Sequence, residues 1–244
     1  MKHRIYIVGM GPGEEKMMTG QAIEALEASD VIIGYPVYLN LLGERFLGKE
    51  FLSTPMRQET RRCEMCFEEA KKGKTVSMVC SGDAGIYGMA SLLYELGKKE
   101  PDCELIVIPG ITAASSGAAI LGAPLSHDFA VISLSDCMTP WELIKKRVRA
   151  AADSDMVMCI YNPSSRRRAG YLKEACEIVS KIQSPDTICG YVKNIGRDNE
   201  KAEILTLKEL AECDVDMFTT VYIGNSHTKV IDGRMVTPRG YKVI

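Results

Sequence analysis

The stretch Ser81-Gly82-Asp83-Ala84-Gly85-Ile86-Tyr87-Gly88 follows the apolar run Val76 to Cys80 and precedes a helical pattern from Met89 to Leu96. A strand thus runs into a glycine loop and then a helix. Glycine tolerates positive φ and lets a ligand approach the backbone, and the new helix offers unpaired N–H groups. Asp83 places a carboxylate where it could hold a hydroxyl or a cation. The chemistry such a loop suits is the binding of a small cofactor; the competing reading is an ordinary strand-to-helix turn, where Gly-Asp is common. A second loop of the same kind, Pro109-Gly110-Ile111-Thr112-Ala113-Ala114, follows the strand-like Leu105 to Ile108 and opens another helix.

The elements that must position these loops alternate. An initial strand, Ile5 to Val8, ends in Gly9-Met10-Gly11-Pro12-Gly13 and is followed by a helix with apolar positions Met18, Ala22, Ile23, Ala25 and Leu26. A dinucleotide fingerprint would need glycine at position 14, which is Glu14, a carboxylate where a pyrophosphate would lie; Asp30 precedes its apolar run instead of ending it. A nicotinamide enzyme or a non-catalytic nucleotide-binding module is therefore the weaker alternative. Further on come a helix near 58–72, strand 75–80, the helix after the glycine loop and strand 105–108, which imply a mostly parallel sheet covered on both faces, with both glycine loops at its carboxyl edge. The small-residue run near 114–124 reads as an inter-domain link. It divides the chain into an N-terminal α/β domain, 1–116, and a C-terminal α/β domain, 117–244. The second half has more mixed strands and ends in a hairpin around Asp232-Gly233.

With 46% hydrophobic and 25% charged residues, and 30 basic against 32 acidic side chains, the composition is that of a globular protein. The net charge of −2 argues against a nucleic-acid surface and a polybasic membrane anchor. No signal-like segment or 18-residue apolar run is evident, so a cytoplasmic location, with neither nucleic acid nor membrane as partner, is expected. The nine cysteines read as reduced core thiols; Cys63-x-x-Cys66 has no second pair to complete a zinc site, and no protein-held metal is expected.

Taken in order, the strand-end signatures VGMGPG at 8–13, SGDAGIY at 81–87 and PGITA at 109–113 resemble the tetrapyrrole (corrin and porphyrin) methylases over nearly the whole chain. Ala84 departs from the proline that many members carry after the aspartate. His127-Asp128-Phe129, Ser133-Leu134-Ser135-Asp136 with Thr139-Pro140-Trp141, the run Tyr161-Asn162-Pro163 through Arg168, and Asn194-Ile195-Gly196-Arg197 resemble the subfamily that methylates ring carbon 17 of precorrin-3B or cobalt-factor III. The resemblance implies two α/β domains with the active-site cleft between them, S-adenosyl-L-methionine as cofactor, a homodimer, and a first GPG loop, Gly11 and Pro12, that lines the substrate cleft. It assigns the cofactor to Gly82, Asp83, Ala84, Ile86, Tyr87, Thr112 and Ala113 from the first domain and to Tyr161, Asn162, Asn194, Thr220 and Val221 from the second; simple strand-end capping is the competing role for the last five.

The reaction implied is methylation with ring contraction. The substrate would be a reduced tetrapyrrole bearing many carboxylates, which arginine forks match. Arg166, Arg167 and Arg168, at an expected helix N-terminus where positive charge is disfavoured, are candidates, as is Arg197; a solvated charge run is the alternative. Ring contraction wants a general base, for which His127 is the first candidate and Asp136 the second. Methylation of another corrin carbon, of RNA or of a protein histidine is the nearest alternative. Whether the tetrapyrrole carries cobalt is left open, since the metal would belong to the substrate.

Overall fold

The computed structural model describes residues 2–165 and 167–242. The chain forms two compact units, Met1–Thr112 and Ala113–Ile244. In the first, strands β1 (His3–Gly9), β2 (Val31–Gly34), β3 (Glu50–Ser53), β4 (Val76–Cys80) and β5 (Cys103–Ile108) alternate with helices α1 (Gly20–Glu27), α2 (Pro36–Leu39), α3 (Glu59–Lys71) and α4 (Ala90–Gly97). Among the described residues the strands make one parallel sheet in the order β3-β2-β4-β1-β5.

Both faces are covered, as a parallel sheet requires. Along β1, Ile5 and Ile7 pack with Cys63, Cys66 and Phe67 of α3 and Leu93 of α4. Tyr6 and Val8 turn to the other face, against Ala22, Ala25 and Leu26 of α1. The Cys63-x-x-Cys66 pair therefore belongs to the core, and burial pushes the Cys63 thiol up to about 12. The order also disposes of the dinucleotide alternative. In that fold the first two strands of the chain are neighbours, whereas here β4 lies between β1 and β2. Sequence pattern missed β3, whose four residues are mostly exposed.

The second unit contains α5 (Ala113–Leu121), β6 (Gly122–Ala123), β7 (Phe129–Ser133), α6 (Trp141–Asp153), β8 (Val157–Tyr161), α7 (Tyr171–Val179), β9 (Ile188–Lys193), β10 (Lys201–Thr206), α8 (Leu207–Leu210), β11 (Thr219–Ile223), β12 (Lys229–Ile231) and β13 (Arg234–Val236). Its main sheet runs β10-β9-β11-β8-β7, with β7 and β8 parallel and the other pairings antiparallel. One face carries the core of α6, α7 and α8; α5 packs against β9, β10 and β11. The hairpin of β12 and β13 turns at Asp232 and Gly233, both with positive φ, the conformation that a two-residue hairpin favours.

The units divide between Thr112 and Ala113, whereas small residues suggested a link near 114–124 and a boundary at 116/117. The run instead builds α5. The Tyr222 hydroxyl donates to the carbonyls of Ala113 (2.8 Å) and Ala114 (3.0 Å), and a Cβ at position 117 would collide with that hydroxyl. Small residues here serve close packing of a helix, a role that composition alone does not separate from a linker.

Candidate functional site

In the first unit β4, β1 and β5 end side by side, and their loops are tied together by backbone. Gly11 and Gly82 exchange two hydrogen bonds, N–H of Gly11 to O of Gly82 (3.1 Å) and N–H of Gly82 to O of Gly11 (2.8 Å). The chains approach so closely that a Cβ at Gly9 would come within 2.6 Å of the Gly110 nitrogen. Asp83 completes the tie, its Oδ1 accepting from Gly85 N–H (2.7 Å) and its Oδ2 from Gly110 N–H (2.9 Å). The carboxylate expected to face a ligand thus also welds the two glycine loops into one surface. Thr19 joins them from α1: its Oγ1 caps that helix by accepting from Ala22 N–H (3.1 Å) and donates to the Pro109 carbonyl (3.3 Å).

Beside this weld the surface is apolar. Ile86, Tyr87 and Ile111 are exposed to 39%, 53% and 39%, and Tyr87 holds φ at +54°, a conformation that costs a non-glycine residue about 1 kcal/mol or more. Ala84, in contrast, is fully buried in the core with Leu93 and Met78, so it can offer a ligand only its backbone. Gly11 and Pro12 are likewise buried; Gly11 braces the Ser81–Asp83 loop.

In the second unit one sheet edge gathers the ends of β7, β8 and β9 and the start of β11, because β9 and β11 are antiparallel and Lys193 pairs with Thr219. Tyr161, Asn162, Asn194, Thr220 and Val221 all lie here. Asn162 and Asn194 end their strands with φ of +52° and +54°, which asparagine tolerates better than most residues. The Tyr161 hydroxyl accepts from Ala114 N–H (2.8 Å) and so caps α5, while Asn162 Nδ2 donates to Ser133 Oγ (3.0 Å). Val221 is fully buried in the core, so its side chain is structural.

The loops after β7 and β8 are clasped by a network that sequence reading missed. Arg168 Nη1 donates to Ser135 Oγ (3.1 Å), Asp136 Oδ1 (3.3 Å) and Cys137 Sγ (3.4 Å). Tyr171 donates its hydroxyl to Asp136 Oδ2 (2.8 Å) and stacks on Trp141 with 3.9 Å between ring centroids. The Tyr171 hydrogen bond, with that of Arg168, holds the Asp136 carboxyl below the usual aspartate range. This environment suits an anchored anion and works against the proton-accepting role expected of Asp136. Arg168 is committed to the same network, Arg167 is exposed, and Arg166 lies outside the described residues. Arg197 rests over the Phe218 ring, 5.5 Å from its centroid.

His127 is not brought to this group. It precedes β7, and the length of that strand, at about 3.3 Å per residue, separates the two sheet edges by roughly 15–20 Å. It lines a depression of about 420 Å³ with Asp128, Asp155, Asn225 and His227, where its Nδ1 accepts from Asp128 N–H (2.8 Å). The segment Gly224-Asn225-Ser226, which follows β11, reaches the same far edge because β11 runs antiparallel to β8.

Comparison with known proteins places this arrangement. The family model described as Tetrapyrrole (Corrin/Porphyrin) Methylases matches residues 4–211. The chain belongs to the tetrapyrrole methylases. Among curated members of that family, a probable cobalt-factor III C(17)-methyltransferase of Salmonella typhimurium is 46% identical over 96% of this chain and 98% of its own length. A precorrin-3B C(17)-methyltransferase of Sinorhizobium sp is 36% identical over 99% and 98%. The cobalt-factor III methyltransferase of Priestia megaterium is also 46% identical, but the chain spans only 46% of that protein's length. Among solved tetrapyrrole methylase structures, the methyltransferase CobJ superposes with a TM-score of 0.88 at 33% identity, covering 96% of this chain and 99% of its own. The uroporphyrin-III C-methyltransferase of Thermus thermophilus, complexed with S-adenyl homocysteine, gives a TM-score of 0.70 at 20% identity over 91% and 92%, a likeness of fold. Among the described residues no group of His, Cys, Asp and Glu is arranged to hold a metal ion, and no helix is long and apolar enough to cross a membrane.

Proposed function

We propose that this chain methylates a corrin precursor at ring carbon 17, with ring contraction, using S-adenosyl-L-methionine, and that its substrate is precorrin-3B or cobalt-factor III. The observation that carries the reading is the pair of glycine loops welded by Asp83 beside exposed Ile86, Tyr87 and Ile111, in a chain 46% identical over 96% of its length to a probable cobalt-factor III C(17)-methyltransferase. An exposed aromatic kept at positive φ is a strain that a ligand-facing role accounts for.

Bound S-adenosylmethionine supplies an electrophilic methyl group on a sulfonium. Transfer to carbon is an in-line displacement that disperses positive charge, so the protein's task is alignment and the exclusion of water. Gly82, Asp83 and Thr112 offer fixed backbone and one carboxylate, and Ala113, the first residue of the second unit, adds its backbone; Ile86 and Tyr87 offer apolar cover. Ala84 takes part through its backbone. From the second unit, Tyr161, Asn162, Asn194 and Thr220 are the proposed cofactor-facing groups, with Val221 behind them in the core. Arg167 and Arg197 are the arginines assigned to substrate carboxylates, while Arg168 holds the loop that carries Arg167. Neither His127, at the far sheet edge, nor Asp136, already bonded to Tyr171 and Arg168, is placed to act as base, so the proton passes to water or a substrate carboxylate. A homodimer is part of the reading and is checked by sedimentation.

The test is to incubate the protein with S-adenosylmethionine and either tetrapyrrole and to follow the product by mass spectrometry and absorbance. Addition of one methyl group with the spectral change of ring contraction is expected. Methylation without contraction would move the assignment to another corrin carbon, and no methylation of either substrate would overturn it.

A further inference from the structure

Arg62, near the start of α3, is the most deeply buried arginine among the described residues, with 5% exposure. Its Nη2 donates to the carbonyls of Thr54 and Pro55, both at 3.1 Å, and its guanidinium carbon lies 5.7 Å from the centroid of the Tyr35 ring. Its Nε is buried with no acceptor. Among the described residues no carboxylate pairs with it, although Arg61, the next residue, is exposed and bonded to Glu68. The arrangement inverts the usual economy of charge: the surface arginine is neutralised and the buried one is left positive. A buried cation without a counter-ion is costly, and a loop tie needing only two donors would not require one.

Its position says what the charge is for. Thr54 and Pro55 follow β3, and Tyr35 follows β2. Both segments lie at the carboxyl edge of the first sheet, the edge that carries the Ser81–Asp83 loop after β4. Since β2 separates β3 from β4, the Thr54 and Pro55 carbonyls that hold the guanidinium follow a strand two spacings, about 10 Å, from the strand that carries that loop.

We infer that Arg62 makes the loops after β2 and β3 an anion subsite that receives a carboxylate of the tetrapyrrole. The inference rests on the tetrapyrrole reading proposed above and deepens it, for it locates a part of the substrate at a place apart from the cofactor loops. Being fixed by Thr54, Pro55 and Tyr35, the guanidinium loses little freedom when the anion arrives, and its low-dielectric setting strengthens the attraction.

The test uses uroporphyrin III, an octacarboxylate, as probe, with S-adenosylhomocysteine as the control ligand. Arg62→Gln is expected to weaken porphyrin binding at least tenfold, to flatten its salt dependence, and to leave S-adenosylhomocysteine affinity within twofold; Arg62→Lys, which keeps the charge, should restore part of the loss. A folded Arg62→Gln protein that binds porphyrin as the wild type does overturns the inference and leaves Arg62 a loop tie. Should neither variant fold, hydrogen exchange on the wild-type protein decides: porphyrin must protect peptides covering 34–39 and 54–62, and unchanged exchange there overturns the inference. Wild-type protein that binds S-adenosylhomocysteine but no porphyrin overturns both this inference and the tetrapyrrole reading, whereas porphyrin binding without protection of those peptides overturns this inference alone.

Discussion

Two carboxylates that look alike in the sequence, Asp83 and Asp136, are given different work by their partners. Asp83 satisfies two backbone N–H groups from two loops. Asp83→Ala should weaken S-adenosylhomocysteine binding, seen by calorimetry, and cost about 1 kcal/mol of stability for each amide left without its acceptor; unchanged affinity would remove Asp83 from the site. Asp136 has its pKa lowered chiefly by the Tyr171 hydroxyl. Its stabilising contribution is therefore present above the ordinary aspartate value near 4 and is lost as the pH falls through its depressed folded value. In Tyr171→Phe, carboxyl NMR should report Asp136 titrating at higher pH than in the wild type; an unmoved titration would mean that the hydroxyl does not hold it. The cysteines divide in the same way. Burial raises Cys80 to about 11 and Cys176 to about 12, whereas Ser135 and Arg168 lower that of exposed Cys137. Peptide mapping after brief iodoacetamide treatment near pH 7 should find Cys137 alkylated first, because the thiolate is the reacting form.

At the scale of elements, the first unit depends on three strand ends meeting without side chains between them. A methyl group at Gly110 would strike the Gly82 carbonyl oxygen and the Gly9 backbone, and none of these atoms belongs to a flexible side chain that could swing aside. Gly110→Ala should therefore cost at least the 1–3 kcal/mol typical of overpacking, measured by urea unfolding, and should weaken S-adenosylhomocysteine binding because Asp83 would lose its second loop. The same change at Gly48, where a Cβ meets nothing within 4 Å, should do neither. In the second unit the short α8 stands on a capping box in which Thr206 Oγ1 accepts from Glu209 N–H (3.3 Å) and Glu209 Oε2 accepts from Thr206 N–H (2.8 Å), while Leu207 and Leu210 enter the core.

For the whole molecule, the proposed activity predicts which ligands stabilise the protein. S-adenosylhomocysteine at 100 times its dissociation constant should add about 2.7 kcal/mol, visible as a raised melting temperature, and NAD should add nothing. A shift with NAD alone would sink the methyltransferase reading. On the proposed function, charge on the second unit divides between anchoring by Arg168 and recognition by Arg167. Arg167→Gln is expected to weaken tetrapyrrole binding several-fold without a loss of stability, the effect shrinking at high salt. Arg168→Gln should lower the melting temperature, since it releases Ser135 and Asp136 together. Equal melting of the two variants would contradict that division.

Alternating apolar runs and glycine-rich strand ends were enough to determine, from sequence alone, the α/β class, both glycine loops and the terminal hairpin, because these follow from local periodicity and from the backbone freedom of particular residues. The ordered signatures also pointed to the tetrapyrrole methylases. Tertiary structure decided what depends on strand direction and neighbour order. The placement of β4 between β1 and β2 removed the dinucleotide alternative. The antiparallel pairings of β11 with β8 and β9 set Thr219 beside Lys193 at one edge and carried Asn225 to the opposite edge, where His127 lies. The arginine run shows the same limit at side-chain scale: like residues in sequence, Arg167 and Arg168 part company only when folding brings Asp136 and Ser135 to one of them. A one-dimensional pattern records which residues can bear charge or bend the chain, but which edge or partner each one meets is a property of pairing across long stretches of chain.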